Sequence, residues 1–196
     1  MMTQTTRIGK QHLIEVAERL FTDHGYQTVS IRDIARACGV TNAALYYHFS
    51  SKEALFDEVI ETYANKLAQR LLEVSAGIDT PREKLAIMLT EFSTYVSQHR
   101  TQLFSLPRKP YKVRQGQVEK QHIRLVQRIL DPLENVLQTA IDQGELRQLP
   151  KGYSPASLLL GLFQGMMQHR KHFTDQQTTS SDIDLIIEIF WNGMKL

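Results

Sequence analysis

Residues 30–49 read S-I-R-D-I-A-R-A-C-G-V-T-N-A-A-L-Y-Y-H-F. Ser30 followed by Asp33 has the spacing of a capping box and predicts the start of a short helix. Gly39 breaks that helix, and the Thr41 hydroxyl can cap another. Ala35 falls where two such helices would approach, and Ile31, Ile34, Cys38, Val40 and Leu45 can form the small core that sets their crossing. That leaves Thr41, Asn42, Ala43, Ala44, Tyr46, Tyr47 and His48 for the outward surface and flanks. A buried core has no need of the phenols and imidazole gathered there.

Two short helices joined by a tight glycine turn are the arrangement of a helix-turn-helix. Its second helix needs small residues at the N-terminus so that the backbone can approach base edges in the major groove. Threonine and asparagine can exchange hydrogen bonds with those edges, and alanine methyls can meet thymine methyls. Tyrosine hydroxyls and an imidazole at the far end suit phosphate oxygens, which fix docking without reading sequence. Arg32 has the reach for a phosphate or a guanine edge, and Lys52 adds a charge for the phosphate rail. The candidate DNA-binding residues are therefore Arg32, Thr41, Asn42, Ala43, Ala44, Tyr46, Tyr47, His48 and Lys52.

Outward from this stretch the chain reads as helix almost throughout, because apolar residues recur at three- and four-residue intervals. Leu13, Val16, Ala17, Leu20 and Phe21 form one face of a first helix that Gly25 would end. A long helix over 51–75 follows the Ser51 cap, and Thr80-Pro81 with Glu83 opens the next. Pro107-Arg108-Lys109-Pro110 predicts a loop near 105–116. A helix then runs to Gly144, bent at Pro132, and two more start at Ser154-Pro155 and Ser181-Asp182. No segment alternates as a half-buried strand does. The expected fold is all-α with about nine helices: a three-helix DNA-binding domain over 1–53 and a helical ligand-binding and dimerisation domain over 54–196.

Composition narrows the function classes. The chain of 196 residues is 42% hydrophobic and 22% charged, ordinary for globular domains. Its single cysteine, Cys38, precludes an internal disulfide framework. No apolar run approaches the ~18 residues of a membrane span, and the first residues are polar, so neither a signal peptide nor a membrane segment is expected, and the cytoplasm is the expected location. A net charge of +2 carries no argument for nucleic acid by itself. The charge is uneven, with eight lysines and arginines against Glu119 alone over 99–128, a run that suits DNA attraction, an anionic ligand or a solvated face. His169 and His172 stand near one another without an acid to complete a metal site, and no metal or cofactor is expected.

Over residues 8–55 the chain resembles the DNA-binding domain of the TetR family of bacterial regulators. The resemblance rests on F21-T-D-H-G-Y26, T28-V-S-I-R-D-I-A35, G39-V40-T41, L45-Y46-Y47-H48-F49 and S51-K52-E53-A-L55, and F190-W-N-G193-M resembles a common ending of the last helix. Ala43 departs from the family, where many members carry glycine. The resemblance implies a homodimeric transcriptional regulator, a repressor on a palindromic double-stranded DNA operator, released when a small, mostly apolar inducer pivots the long helix. It also implies a four-helix dimer interface from the last two helices, for which Leu158, Gly161, Leu162, Gly165, Ile186, Ile189 and Phe190 are the candidates. Met88, Phe92, Tyr95, Phe104, Ile123, Val126, Phe163, Met166 and Met167 could line an adaptable apolar pocket or fill an ordinary core. Two alternatives stand beside this: a DNA-binding protein of the same fold without an inducer, and a small helical enzyme. For the enzyme the sequence offers no nucleophile–base pair, phosphate loop or metal cluster.

Overall fold

The computed structural model describes residues 9–98, 115–170 and 178–195, with side chains from 124 onward in the second span. Among them are eight helices and no strand: α1 (Lys10–His24), α2 (Ile31–Ala37), α3 (Asn42–His48), α4 (Lys52–Ser75), α5 (Pro81–Gln98), α6 (Gln115–Asp142), α7 (Pro155–His169) and α8 (Ser180–Met194). No helix among the described residues is long and apolar enough to cross a membrane. The chain divides into two compact units, and the division falls inside α4 between Tyr63 and Ala64.

In the first unit, α1 packs on α2 and α2 on α3. Gly25, at φ +83°, closes α1 by donating its N–H to Phe21 O at 2.9 Å. The capping box forms at α2, where Ser30 Oγ accepts from Asp33 N–H and the Asp33 carboxylate accepts from Ser30 N–H at 3.0 Å. The Ser30 hydroxyl, donating to the same carboxylate at 2.6 Å, and then the Ser30 N–H hold the Asp33 carboxyl below its usual pKa. The core is built from Leu13, Ala17, Ile34, Ala35, Leu45, Phe49 and Leu55, all buried, with Ile31 and Val40 packed against it.

In the second unit, α5 packs on α6 and α8, α6 on α7, and α7 on α8. The four helices enclose buried Leu85, Met88, Leu89, Leu133, Leu137 and Phe163. Pro132 does not end α6: the helix continues across it and the proline ring is buried. Local side chains close the helix ends. Glu134 of α6 accepts from Ser154 Oγ at 2.9 Å and from Ala156 N–H at 3.1 Å, reinforcing the Ser154 cap of α7. Arg147 donates its backbone N–H to Met194 O at 2.8 Å and its guanidinium to Gly193 O at 2.9 Å, satisfying carbonyls at the end of α8 that have no partner within a helix.

The start of α8 corrects the sequence expectation by two residues. Thr179, and not Ser181, caps the helix, and Asp182 reaches back to Thr179 N–H at 2.8 Å. The same carboxylate pairs with Arg170 at 2.5 Å, and it is buried. Chiefly through the Arg170 hydrogen bonds, the Asp182 carboxyl is lowered to about 2.

Candidate nucleic-acid interface

The site begins with the turn between α2 and α3. Val40 N–H donates to Ala35 O at 3.0 Å and Gly39 N–H to Arg36 O at 3.1 Å, the paired bonds of a Schellman turn. Gly39 supplies the left-handed conformation this turn requires, at φ +67°. Thr41 then caps α3, its Oγ1 accepting from Ala44 N–H at 3.1 Å.

Across its seven residues, α3 buries only Leu45. At 3.6 residues per turn, Ala43 and Tyr47 each lie about 160° from Leu45 around the helix, pointing most directly away from the core. Tyr47 is accordingly 85% exposed and Tyr46 52%. Thr41, Asn42, Ala43, Ala44 and His48 are exposed as well, as is Arg32 on α2. The rings of Tyr47 and His48 meet edge to face at 5.2 Å between centroids. Behind them Phe49 is buried, with the Lys10 ammonium 5.6 Å from its ring centre and held by Glu58 at 2.6 Å. The residue that closes α3 is thus held in the core and against Lys10 of α1.

Lys52 differs from its sequence reading. Its ammonium donates to the Tyr26 carbonyl and lies 4.1 Å from the centre of the Tyr26 ring. Tyr26 meets Phe56 at 4.4 Å and Phe21 at 5.4 Å with tilted rings, and donates its hydroxyl to Glu53 at 3.2 Å. Partial burial lowers the Lys52 pKa, opposed by the neighbouring Glu53 charge. This charge braces the first turn of α4 against the loop after α1. The sequence signal for this is Tyr26 beside Phe21 and Phe56, of which Phe21 also belongs to the apolar face of α1.

The residues proposed for dimerisation divide by face. Leu158, Gly161, Leu162 and Gly165 form one exposed stripe along α7, and Ile189 on α8 is 56% exposed. Ile186 and Phe190 correct the expectation: at 3% and 4% exposure they face the core of their own protomer beside Ile183, Ile187 and Trp191. The exposed apolar partner of Ile189 is Leu185, one turn earlier on the same stripe, which sequence reading left out. Of the pocket candidates, Met88, Phe92, Tyr95 and Phe163 are buried together, and Phe92 and Phe163 meet edge to face at 5.6 Å. Met166 and Met167 are half-buried and Val126 is exposed. Phe104 and the Ile123 side chain lie outside the described residues.

A capped seven-residue helix with one buried anchor, set by a Schellman turn against a second short helix, defines a helix-turn-helix domain. Residues 13–59 match the family model described as "Bacterial regulatory proteins, tetR family". That match covers the helix-turn-helix region, from within α1 to within α4. The chain is 31% identical over 91 residues to the transcriptional repressor KstR2 of Rhodococcus jostii, covering 46% of this chain and 45% of that protein. It is 35% identical over 85 residues to the transcriptional regulator AcrR of Shigella flexneri, covering 43% and 39%. These matches thus span less than half the length of either curated relative. The fold extends further: the transcriptional regulator FadR of Bacillus subtilis, solved in complex with stearoyl-CoA, superposes with a TM-score of 0.75 at 16% identity, covering 95% of this chain and 100% of that one.

Proposed function

We propose that this protein is a ligand-responsive transcriptional repressor of the cytoplasm that binds a palindromic operator as a homodimer. The observation that carries the reading is the surface of α3, which anchors through Leu45 and leaves Thr41–Ala44 and Tyr46–His48 exposed. Thr41–Ala44 would read base edges, Tyr46, Tyr47 and His48 would dock on phosphates, and Arg32 would serve either. Lys52 supports the domain from behind. Two copies of α3 would enter successive major grooves about 34 Å apart.

For the dimer, the support is the exposed stripe Leu158, Gly161, Leu162 and Gly165 with Leu185 and Ile189. A methyl group added at either glycine would meet nothing within 4 Å, which leaves room for another helix to approach closely. For the inducer, the support is the cluster of Met88, Phe92, Tyr95 and Phe163, adaptable apolar side chains in the fold that holds stearoyl-CoA in FadR. Releasing the operator from 99:1 to 1:99 takes about 5.5 kcal/mol of differential ligand affinity. A second reading, regulation without a small molecule, is favoured by the Phe92–Phe163 ring contact, which is ordinary core packing.

Footprinting the purified protein on its own upstream DNA, at two salt concentrations and beside a Tyr47→Ala, His48→Ala variant, tests the reading. A protected palindrome lost in the variant is the expected result. Salt-sensitive binding that is equal in both proteins and leaves no footprint on this or other DNA refutes it. Thermal shifts with apolar acids and their thioesters then separate the two regulatory readings.

A further inference from the structure

The exposed surface of α3 contains neither lysine nor arginine, and neither aspartate nor glutamate. Those are the side chains that pair with the two halves of a G·C pair in the major groove, the cations with guanine O6 and N7 and the carboxylates with the cytosine amine. Both halves of an A·T pair do have their readers on the first turn. Asn42 carries the amide that pairs bidentately with adenine, and Ala43 and Ala44 present the methyl groups that meet the thymine methyl. Ala43 has the most favourable position, facing away from the Leu45 anchor. Thr41 adds no opposing preference, because its oxygen already accepts from Ala44 N–H at 3.1 Å and its proton is left to donate to an acceptor that either kind of pair offers. Among the described residues the exposed cations Arg32 and Arg36 stand on α2 and not on α3.

We propose that the base pairs read by the first turn of α3 are A·T pairs, recognised through Asn42 and through the thymine methyls that Ala43 and Ala44 contact. This deepens the DNA-binding reading and rests on it. The test begins by selecting bound duplexes from a random-sequence library with the full-length protein. Affinities are then measured for the selected duplex, for the same duplex with A·T replaced by G·C at the pairs under α3, and for one with uracil in place of thymine, which deletes the methyl alone.

The expected outcome is a half-site with adjacent A·T pairs under α3 and a loss of roughly 5- to 150-fold on G·C replacement, the range for one good base contact. A smaller but measurable loss is expected with uracil. Asn42→Ala should weaken binding to the selected duplex and relax the preference at one adenine. Half-sites enriched with G·C pairs at those positions, or affinities indifferent to both DNA substitutions, overturn the proposal while leaving the regulator reading intact. The uracil arm uses unaltered protein, so it decides even where Asn42→Ala folds poorly. A selection that enriches no sequence, with the Tyr47→Ala, His48→Ala variant behaving alike, removes the DNA-reading function and this proposal with it.

Discussion

Lys52→Met distinguishes a brace from a DNA contact. The substitution keeps the apolar stem beside the aromatic cluster and removes the ammonium that Tyr26 O accepts from and the Tyr26 ring attracts at 4.1 Å. A hydrogen bond from a charged donor contributes roughly 1.5–3 kcal/mol, and a partly exposed cation–π contact about 0.5–1 kcal/mol. Against these stands the desolvation of the ammonium, the same cost that lowers its pKa. The net loss is about 2 kcal/mol, which for a protein of this length lowers Tm by roughly 4–8 °C. Thermal denaturation followed by circular dichroism measures that loss. Fluorescence anisotropy on operator DNA over a salt series measures the other quantity: a phosphate contact contributes about 0.9 to the slope of log K against log salt. The brace predicts a lowered Tm with an unchanged slope. An unchanged Tm with the slope reduced by about 0.9 would refute the reasoning and restore Lys52 to the phosphate rail.

Three further outcomes are expected. Gly39→Val should destabilise the first unit by at least about 1–2 kcal/mol in urea melts, because a β-branched residue resists the left-handed conformation at φ +67°, whereas Gly39→Asn should be milder. The Asp182 carboxyl, lowered from 3.8 to about 2, gives stability that is complete above pH 4 and lost as pH falls through about 2. Wild type should therefore lose about 2 kcal/mol across that window that Asp182→Asn does not lose, as acid titrations of denaturant midpoints would register. Ile189→Asp places a charge on the exposed α7–α8 stripe; it should shift sedimentation from dimer to monomer without lowering helix content, since Ile189 is not in the protomer core.

The sequence was most readable where the signals are local. Ser30–Asp33, Thr80–Glu83 and Ser154–Pro155 each declare a helix start within four residues, and each is found with its hydrogen bonds made. The outward set on α3 was likewise legible, because Leu45 fixes the phase of so short a helix. The Lys52 contact was not legible because its acceptor is a backbone carbonyl 26 residues away. At α8 the trouble was ambiguity. Thr178-Thr179-Ser180-Ser181 offers four hydroxyls in a row as caps, and Leu185, Ile186, Ile187, Ile189 and Phe190 are apolar on both faces, so periodicity could not choose between core and exposed stripe. Burial separates them. Glu134 and Arg147 had no signal at all, because the helix ends they close are brought to them by tertiary packing.

The anchoring of α3 through one buried side chain bears on how such a protein diverges. Exchanges at exposed positions away from special backbone features usually cost within about 0.5 kcal/mol. Asn42, Ala43, Tyr46 and Tyr47 can therefore be replaced almost without penalty to folding, provided Leu45, the Thr41 cap and Gly39 are kept. Duplicated copies of this gene could acquire separate target sequences by small steps, none passing through an unfolded intermediate. A laboratory library randomised at those four positions should yield mostly folded members, making this helix a convenient place to reprogram recognition.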